Sequence, residues 1–411
     1  MLMCVLPPPS FSASEKFCPD FSSFVISLKA ASRRLFWLFA KEYNYKEMQT
    51  TFLSKLIKKF SPGAYLGVDI GTTSIKVAEL LKTPKGLRLS NYGLLESYGH
   101  LERFNDAIQT SSLKLLGKET AEMLKLLIKK SKIKTKRAIA SIPLFAAFTI
   151  LLEVPSMSSE EITQSMQFQA RQYIPLPINE MALEWIKVGE YTDEKGFSKQ
   201  QIFLISIPND TIGRYKDIFN SAGLNLEAIE LENISLTRAL IGGDLTPTAI
   251  LDIGCRASSV SIVDGGFVKA VHQSDYGGGN LTQAIAGGLR VNPKRAEELK
   301  RQRGLLGTRG EYELSTLMTP FLDVIINEVR RAANSYFEKY ARKVERVIIS
   351  GGGVALPGIV EYAERQLGLP VIKSNPLAGS RIAYSQELTP LIEGLGSSFS
   401  VALGLAMKEL I

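Results

Sequence analysis

An α/β protein built from two copies of one supersecondary unit is what this sequence predicts, on three observations. The tripeptide Asp-Ile-Gly occurs at 69–71 and again at 252–254. Each occurrence ends the first strand of a three-strand meander that is followed by helix and then a short apolar strand. Residues 144–223, between the copies, carry a pattern of their own. A duplicated frame with an inserted piece accounts for all three.

In the first copy, residues 65–70, 74–81 and 87–96 are β-rich and are separated by Gly71-Thr72-Thr73 and Pro84-Lys85-Gly86, turn chemistry that makes them a meander. A helix over about 117–131 and a buried strand at 137–142 follow. The second copy repeats this with strands at 249–253, 259–263 and 267–274 and a tight turn at Asp264-Gly265-Gly266. Helices near 281–287 and 319–341 and a buried strand at 344–350 complete it. In the inserted piece, strands are expected at 148–154, 182–190 and 201–207. Ser158 with Glu160 and Glu161 opens one helix, and a second helix over 211–222 ends at Gly223. The domain division is therefore 63–143 with 224–246, the insertion 144–223, and 247–411, the last with helical content at about 288–342.

Residues 1–47 differ from the rest. Pro7, Pro8 and Pro9 lead a Ser- and Phe-rich stretch without sustained period, and Met48 opens a segment resembling an ordinary protein start. The expectation is a start at Met48, with 1–47 an upstream extension or a disordered arm. Leu53, Leu56, Ile57 and Phe60 share a helical face opposite Lys55, Lys58 and Lys59. That stripe can dock on the protein itself or lie on a membrane surface. The whole of 1–62 is set apart as an extension.

Composition excludes several classes. Of 411 residues, 45% are hydrophobic and 22% charged, which is globular usage, and the net charge of +8 is too mild to name nucleic acid as a partner. No apolar run of 18 residues is present. Three cysteines and two lone histidines supply neither a disulfide framework nor zinc-ligand spacing, and a reducing compartment fits them. The basic run 125–137 reads as a solvated helix end or as a patch facing anionic lipid.

The chemistry lies in the repeated hairpins. After Asp69, Gly71 permits close backbone approach, the amides of Thr72, Thr73 and Ser74 can point at anionic oxygens, and Lys76 adds a cation. Asp69 would hold a hydrated Mg²⁺, since it repels phosphate. Alone, such a hairpin is equally an ordinary β-turn. The second copy, with Asp252, Gly254, Ser258 and Ser259, changes this: two such hairpins can close on a polyphosphate and set two carboxylates beside one metal. A glycine turn, Gly351, Gly352 and Gly353 with Leu356, sits between a strand and a helix and suits a flat or anionic group.

These residues resemble the actin-like ATPase superfamily, in which the two hairpins are phosphate motifs and the glycine turn is an adenosine motif. The resemblance implies a ribonuclease H-like duplicated fold with two lobes and a cleft. It also implies that Glu297 and Lys300 match a helix contacting ribose and adenine. Within the superfamily the chain is similar to the type IV pilus assembly PilM proteins. That likeness runs from about Met48 to Ile411 and rests on the phrase LGVDIGTTSIKVAEL, the insertion, and GGGVALPGI near the end. It implies ATP and Mg²⁺ as cofactors, weak or no hydrolysis, and a cytoplasmic position peripheral to the inner membrane. It further implies binding of the cytoplasmic N-terminal tail of a PilN-like protein in a groove between the first subdomain and the insertion, with PilO and the motor ATPases as indirect partners.

Some positions stay open. Cys255 and Arg256 stand where family members carry small or hydroxyl residues. Arg256 either reaches a phosphate or faces solvent, and Cys255 is either a small turn residue or a reactive thiol. Glu230 and Glu232 are candidates to orient a water for hydrolysis, or else solvated carboxylates. Two other functions fit the same fold class. An FtsA-like division protein would want a linker and a membrane helix at its end, and a small-molecule kinase would want a positioned base.

Overall fold

The computed structural model describes residues 2–4, 63–96, 117–306 and 312–377 and most of 381–411. The amphipathic segment expected at 48–60 lies outside the described residues, as does the 1–62 extension apart from β1 (Leu2–Cys4), which pairs antiparallel with β4.

Both expected meanders are present. β2 (Ala64–Ile70), β3 (Ser74–Thr83) and β4 (Gly86–Glu96) run antiparallel, and β5 (Arg137–Ile142) and β9 (Asn225–Leu231) extend the sheet in parallel on the β2 side. The second sheet repeats that order. β10 (Thr248–Ile253), β11 (Ser258–Asp264) and β12 (Phe267–Ser274) form its meander, and β13 (Arg346–Ser350) and β14 (Val371–Lys373) continue in parallel beside β10. Gly265 and Gly266 both hold positive φ between β11 and β12, as a two-residue hairpin turn requires.

Each sheet is covered on both faces, which is why β2, β5 and β10 read as nearly continuous apolar runs. On the first sheet, α1 (Gly117–Lys130) and α3 (Asn209–Ser221) bury Leu124, Leu127, Tyr215, Ile218 and Phe219 against Leu66, Val68 and Val77. The sequence reading gave this second helix to the insertion. Its apolar face packs on the first sheet instead, so the insertion as a packed unit ends at Pro208. Lys129 and Lys130 close α1, where the dipole favours cations, and Arg137 leaves the basic run to pair with Glu227 at 2.7 Å.

The second sheet carries α5 (Gly278–Leu289), α7 (Tyr312–Tyr340) and α8 (Ile359–Leu367) on one face, with α6 (Pro293–Arg303) beside α5. The helix expected near 281–287 is α5, and it precedes the helical stretch expected at about 288–342.

Between the sheets lie two exchanged helices. α4 (Glu232–Leu240), which follows the last strand of the first sheet, reaches the second: Asn233 Nδ2 donates to Ser259 Oγ at 3.1 Å and Ser261 Oγ at 2.7 Å. α9 (Ser400–Met407) returns to the first sheet and packs on β2 and β3. Every residue of α9 is buried, so it shows no amphipathic stripe. The reading of residues 397–411 as part of the second lobe is corrected accordingly.

The insertion is an antiparallel sheet, ordered β6 (Phe148–Pro155), β8 (Ser198–Pro208), β7 (Met181–Thr192), covered by α2 (Ser159–Ala170). Ile162, Met166 and Ala170 of α2 pack on Leu152, Val154, Ile202 and Leu204. Its expected cap is formed: Ser158 Oγ accepts from the Glu161 amide, and the Ser158 amide donates to Glu161 Oε2 at 2.8 Å.

Candidate functional site

The repeated hairpins meet across one cleft of about 250 Å3. Gly71 N donates to Ser74 O at 2.9 Å and Gly254 N to Ala257 O at 3.1 Å, so the two turns have the same closure. A hydrogen bond between Thr73 and Cys255 joins their tips. Asp69, Gly71, Thr72, Thr73, Ser74 and Lys76 line the cleft from one side. Asp252, Gly254, Ser258 and Ser259 line it from the other, with Glu297 and Lys300 on α6. Gly351, Gly352, Gly353 and Leu356 close it after β13.

The aspartates are equivalent in position and different in state. Asp69 lies opposite Lys76 in the hairpin register, and Lys76 Nζ donates to its Oδ2 at 3.0 Å while Ser141 Oγ donates to Oδ1 at 2.9 Å. Burial works against the charge of Lys76, and the facing Asp69 carboxylate outweighs it and raises the ammonium pKa. In the second copy the residue opposite Asp252 is Ser259, which brings no charge. Asp252 Oδ1 is fully buried without a hydrogen-bond partner. Burial, with the negative charge of Asp69, pushes its carboxyl up to about 6 against the help of Lys76 and a Ser350 hydrogen bond.

A consequence for stability follows from the sign. Because the folded pKa of Asp252 lies above its unfolded value, its ionised form is disfavoured by folding. The contribution is intact below about pH 4 and is lost as pH rises through about 6. At roughly 1.4 kcal/mol per unit the cost at pH 8 is about 3 kcal/mol. Asp252→Asn is therefore expected to raise the melting temperature of the ligand-free protein at pH 8 and leave it unchanged near pH 4. Melting curves across that range check this, and a variant less stable at pH 8 contradicts it.

Glu297 and Lys300 are tied to each other at 2.6 Å. Lys300 Nζ also donates to Gly278 O and Thr282 Oγ1, both at 2.8 Å, and Arg301 Nε donates to Glu297 Oε1 at 2.8 Å. Despite burial, Lys300 and these donors hold the Glu297 carboxyl at about 2. The amides of Gly278 and Gly279 donate to Gly254 O and Cys255 O, each at 2.8 Å, fixing the start of α5 onto the second turn.

The two glutamate candidates part company. Glu232 begins α4 inside the cleft, where burial and the charges of Asp69 and Asp252 push its carboxyl well above the usual range. Glu230 lies outside it, buried at the end of β9, where Arg238 grips both its oxygens at 2.7 and 2.8 Å and Lys408 adds a third contact at 3.1 Å. Its candidacy for water positioning is withdrawn: it is a buried ion-pair centre holding α4 and the residues after α9 together.

Cys255 is a turn residue whose thiol pKa is raised by burial, which opposes thiolate formation. Arg256 lines the cleft and stacks on the Phe145 ring, its guanidinium carbon 4.4 Å from the centroid. Sequence reasoning missed Phe145, which sits in the short turn Leu144–Ala146 leading into the insertion. Nothing in its neighbourhood separates it from a packing aromatic.

Among the described residues, no group of three or more His, Cys, Asp or Glu side chains is arranged to hold a metal ion, and no helix is long and apolar enough to cross a membrane.

Solved structures resemble this chain to different degrees, and the likeness that carries the fold is the first. A structure described as a PilM–PilN type IV pilus biogenesis complex matches with a TM-score of 0.71 at 20% identity, covering 84% of this chain and 98% of that one. The ethanolamine utilization protein EutJ from Carboxydothermus hydrogenoformans matches with a TM-score of 0.49 at 15% identity, over 84% and 90% of the two chains. MreB5 of Spiroplasma citri bound to AMPPNP matches with a TM-score of 0.47 at 11% identity, over 84% and 96%. The fold is the actin-like one expected, with the division-protein and kinase readings carried by no further observation. A family model described as type IV pilus assembly protein PilM matches residues 67–410, most of the chain, and the protein belongs to that family.

Proposed function

We propose that this protein is an ATP-binding scaffold of the type IV pilus inner-membrane platform, cytoplasmic and peripheral to the membrane, with weak or no turnover. The observation that carries the nucleotide part is the convergence of two equivalent hairpins and a glycine turn on one cleft. The residues fit a nucleotide accompanied by a divalent cation. Asp252 Oδ1 is an acceptor without a protein partner, and a nearby cation would favour the ionised form that burial opposes. Asp69 is already engaged by Lys76 and Ser141, so the ion would be held through its water shell and the phosphates, with Asp252 as the protein acceptor. Glu232 lines the same cleft, where burial and the charges of Asp69 and Asp252 raise its carboxyl pKa.

The partner reading rests on the family and on a second cavity. An apolar groove of about 650 Å3 runs between the adjoining ends of β3 and β4 (Lys82, Leu87) and the insertion (Ile186, Val188, Phe203), with half-exposed Phe267 among its lining residues. It suits an extended apolar tail such as the cytoplasmic N-terminus of a PilN-like protein, through which PilO and the motor ATPases would be reached. Titrating the full chain with that tail peptide is expected to give binding. Phe267→Asp, at a half-exposed position whose change spares the core, is expected to weaken it about tenfold. Absence of binding by the unaltered chain overturns the partner reading.

A further inference from the structure

Six of the twelve residues from Lys125 to Lys136 are lysine and none is acidic. The dipole of α1 accounts for Lys129 and Lys130, which stand in its last turn. It does not account for Lys132, Lys134 and Lys136, which lie beyond the helix end. Nor does helix stability account for Lys125 and Lys129, a like-charged pair four residues apart. The chain leaves α1 through Lys132, whose φ of 53° lies in the left-handed region, and the Ile133 amide reaches back to Ile128 O at 3.2 Å. Glycine is the usual residue at such a cap.

From this cap to β5 the exposure alternates. Lys132, Lys134 and Lys136 are exposed, while Ile133 and Thr135 are partly covered, so the three lysines share the outward side. The backbone beneath them is fixed. Glu79, buried on β3, accepts from the amides of Lys134 and Thr135 at 3.0 and 2.8 Å, and from the Asn91 side chain. That carboxylate is therefore taken up by amide groups and by no ammonium. Lys125, Lys129 and Lys130 are exposed as well, and none of the six lysines forms an ion pair among the described residues. Leu126, 36% exposed, lies among them.

We propose that this patch is a docking surface for anionic lipid head groups, which sets the protein directly on a membrane. A lysine cluster of this size on a fixed support is attracted to an acidic leaflet. Two features favour a bilayer over nucleic acid. No aromatic side chain interleaves the lysines to stack on bases, and exposed Leu126 suits a surface with an apolar interior. The chain also enters the first sheet beside the patch, since Thr135 Oγ1 donates to Ala64 O at 3.3 Å.

Position gives the contact a use. The lysines precede β5, which runs parallel to β2, so they stand at the end of the first sheet opposite Asp69 and the cleft. Ala64 pairs with Leu81, next to Lys82 of the apolar groove, at that same end. Lipid contact there leaves the cleft open and turns the groove toward a tail emerging from the membrane. This last point rests on the partner reading proposed above; the lipid contact itself does not.

Co-sedimentation of the full chain with vesicles tests it, using phosphatidylcholine alone and phosphatidylcholine mixed with phosphatidylglycerol in equal parts. The unaltered chain is expected to bind the mixed vesicles and not the neutral ones, and to release them as salt is raised. Each lysine removed is expected to lower partitioning about fivefold. A triple variant with Lys132→Gln, Lys134→Gln and Lys136→Gln should therefore lose about a hundredfold at an unchanged melting temperature. A second triple variant, with Lys294→Gln, Lys343→Gln and Lys373→Gln at exposed positions elsewhere, has the same net charge and should bind as the unaltered chain does. Equal loss in both variants, or loss in neither, overturns the assignment, as does an unaltered chain that ignores the mixed vesicles. A DNA duplex bound at the same ionic strength, with the vesicles left unbound, would overturn it in favour of nucleic acid. The tail-peptide titration contains no membrane, so each of these failures leaves the partner reading standing.

Discussion

Gly404→Ala is expected to destabilise the protein by about 3 kcal/mol, read as a lower urea midpoint. A Cβ on Gly404 would lie 2.0 Å from Ser235 O and 2.6 Å from its carbonyl carbon on α4. On the opposite side of α9, a Cβ on Gly67 of β2 would lie 1.8 Å from Ala402 O. Both obstructing atoms are backbone, so no side chain can yield by changing rotamer. Relief requires that α9 move away from α4 or from the first sheet, opening buried apolar surface and loosening the hydrogen bond from Arg238 Nη1 to Gly404 O, 2.8 Å long. Gly213 on α3 is the control. A Cβ there meets nothing within 4 Å, and Gly213→Ala is expected to stabilise by about 0.5 kcal/mol through helix propensity. Equal effects of the two substitutions would refute the close helix crossing.

Gly352→Val is expected to abolish stabilisation by MgATP while leaving the melting temperature of the free protein nearly unchanged. The three consecutive glycines are not equivalent. A Cβ on Gly353 would strike Ile253 Cγ2 at 2.4 Å, and one on Gly351 would strike Ile253 O at 2.6 Å and Asp252 Oδ1 at 2.8 Å. At Gly352 it meets no protein atom within 4 Å, so a larger side chain is accommodated by the fold at the wall of the cleft and obstructs a ligand. At a hundredfold excess over the dissociation constant, binding stabilises by about 2.7 kcal/mol, a shift of roughly 5 °C. Thermal melts with and without MgATP check this. A Gly352→Val protein that still shows the full shift would show that the ligand does not approach the glycine turn.

The cleft was legible in the sequence because each of its parts is local. A strand ending in Asp-Ile-Gly and a closed turn are settled by a few adjacent residues, and the same phrase at 69–71 and 252–254 needed no knowledge of packing. The helix exchange was not legible. An all-apolar segment at 400–407 announces burial, not which sheet receives it. For the same reason Tyr215, Ile218 and Phe219 read identically whether α3 covers the insertion or the first sheet. Glu230 and Glu232 were paired as candidates because both lie just before the second copy, near the link between the two halves. β9 ends at Leu231 and α4 begins at Glu232, and the change of period there sends the two carboxylates to different places. The contact of Arg256 with Phe145 joins distant parts of the chain that no spacing rule connects.

The crossing of α4 and α9 also orders events during synthesis. Residues 64–231 supply the meander and the parallel strands β5 and β9 of the first sheet early in translation, yet the helix that seals one face of it is not made until residues 400–407 leave the ribosome. The nascent first sheet must wait with that face unsealed while the other lobe is being polymerised. Strands this apolar, held open for so long, are a natural client surface for holding chaperones.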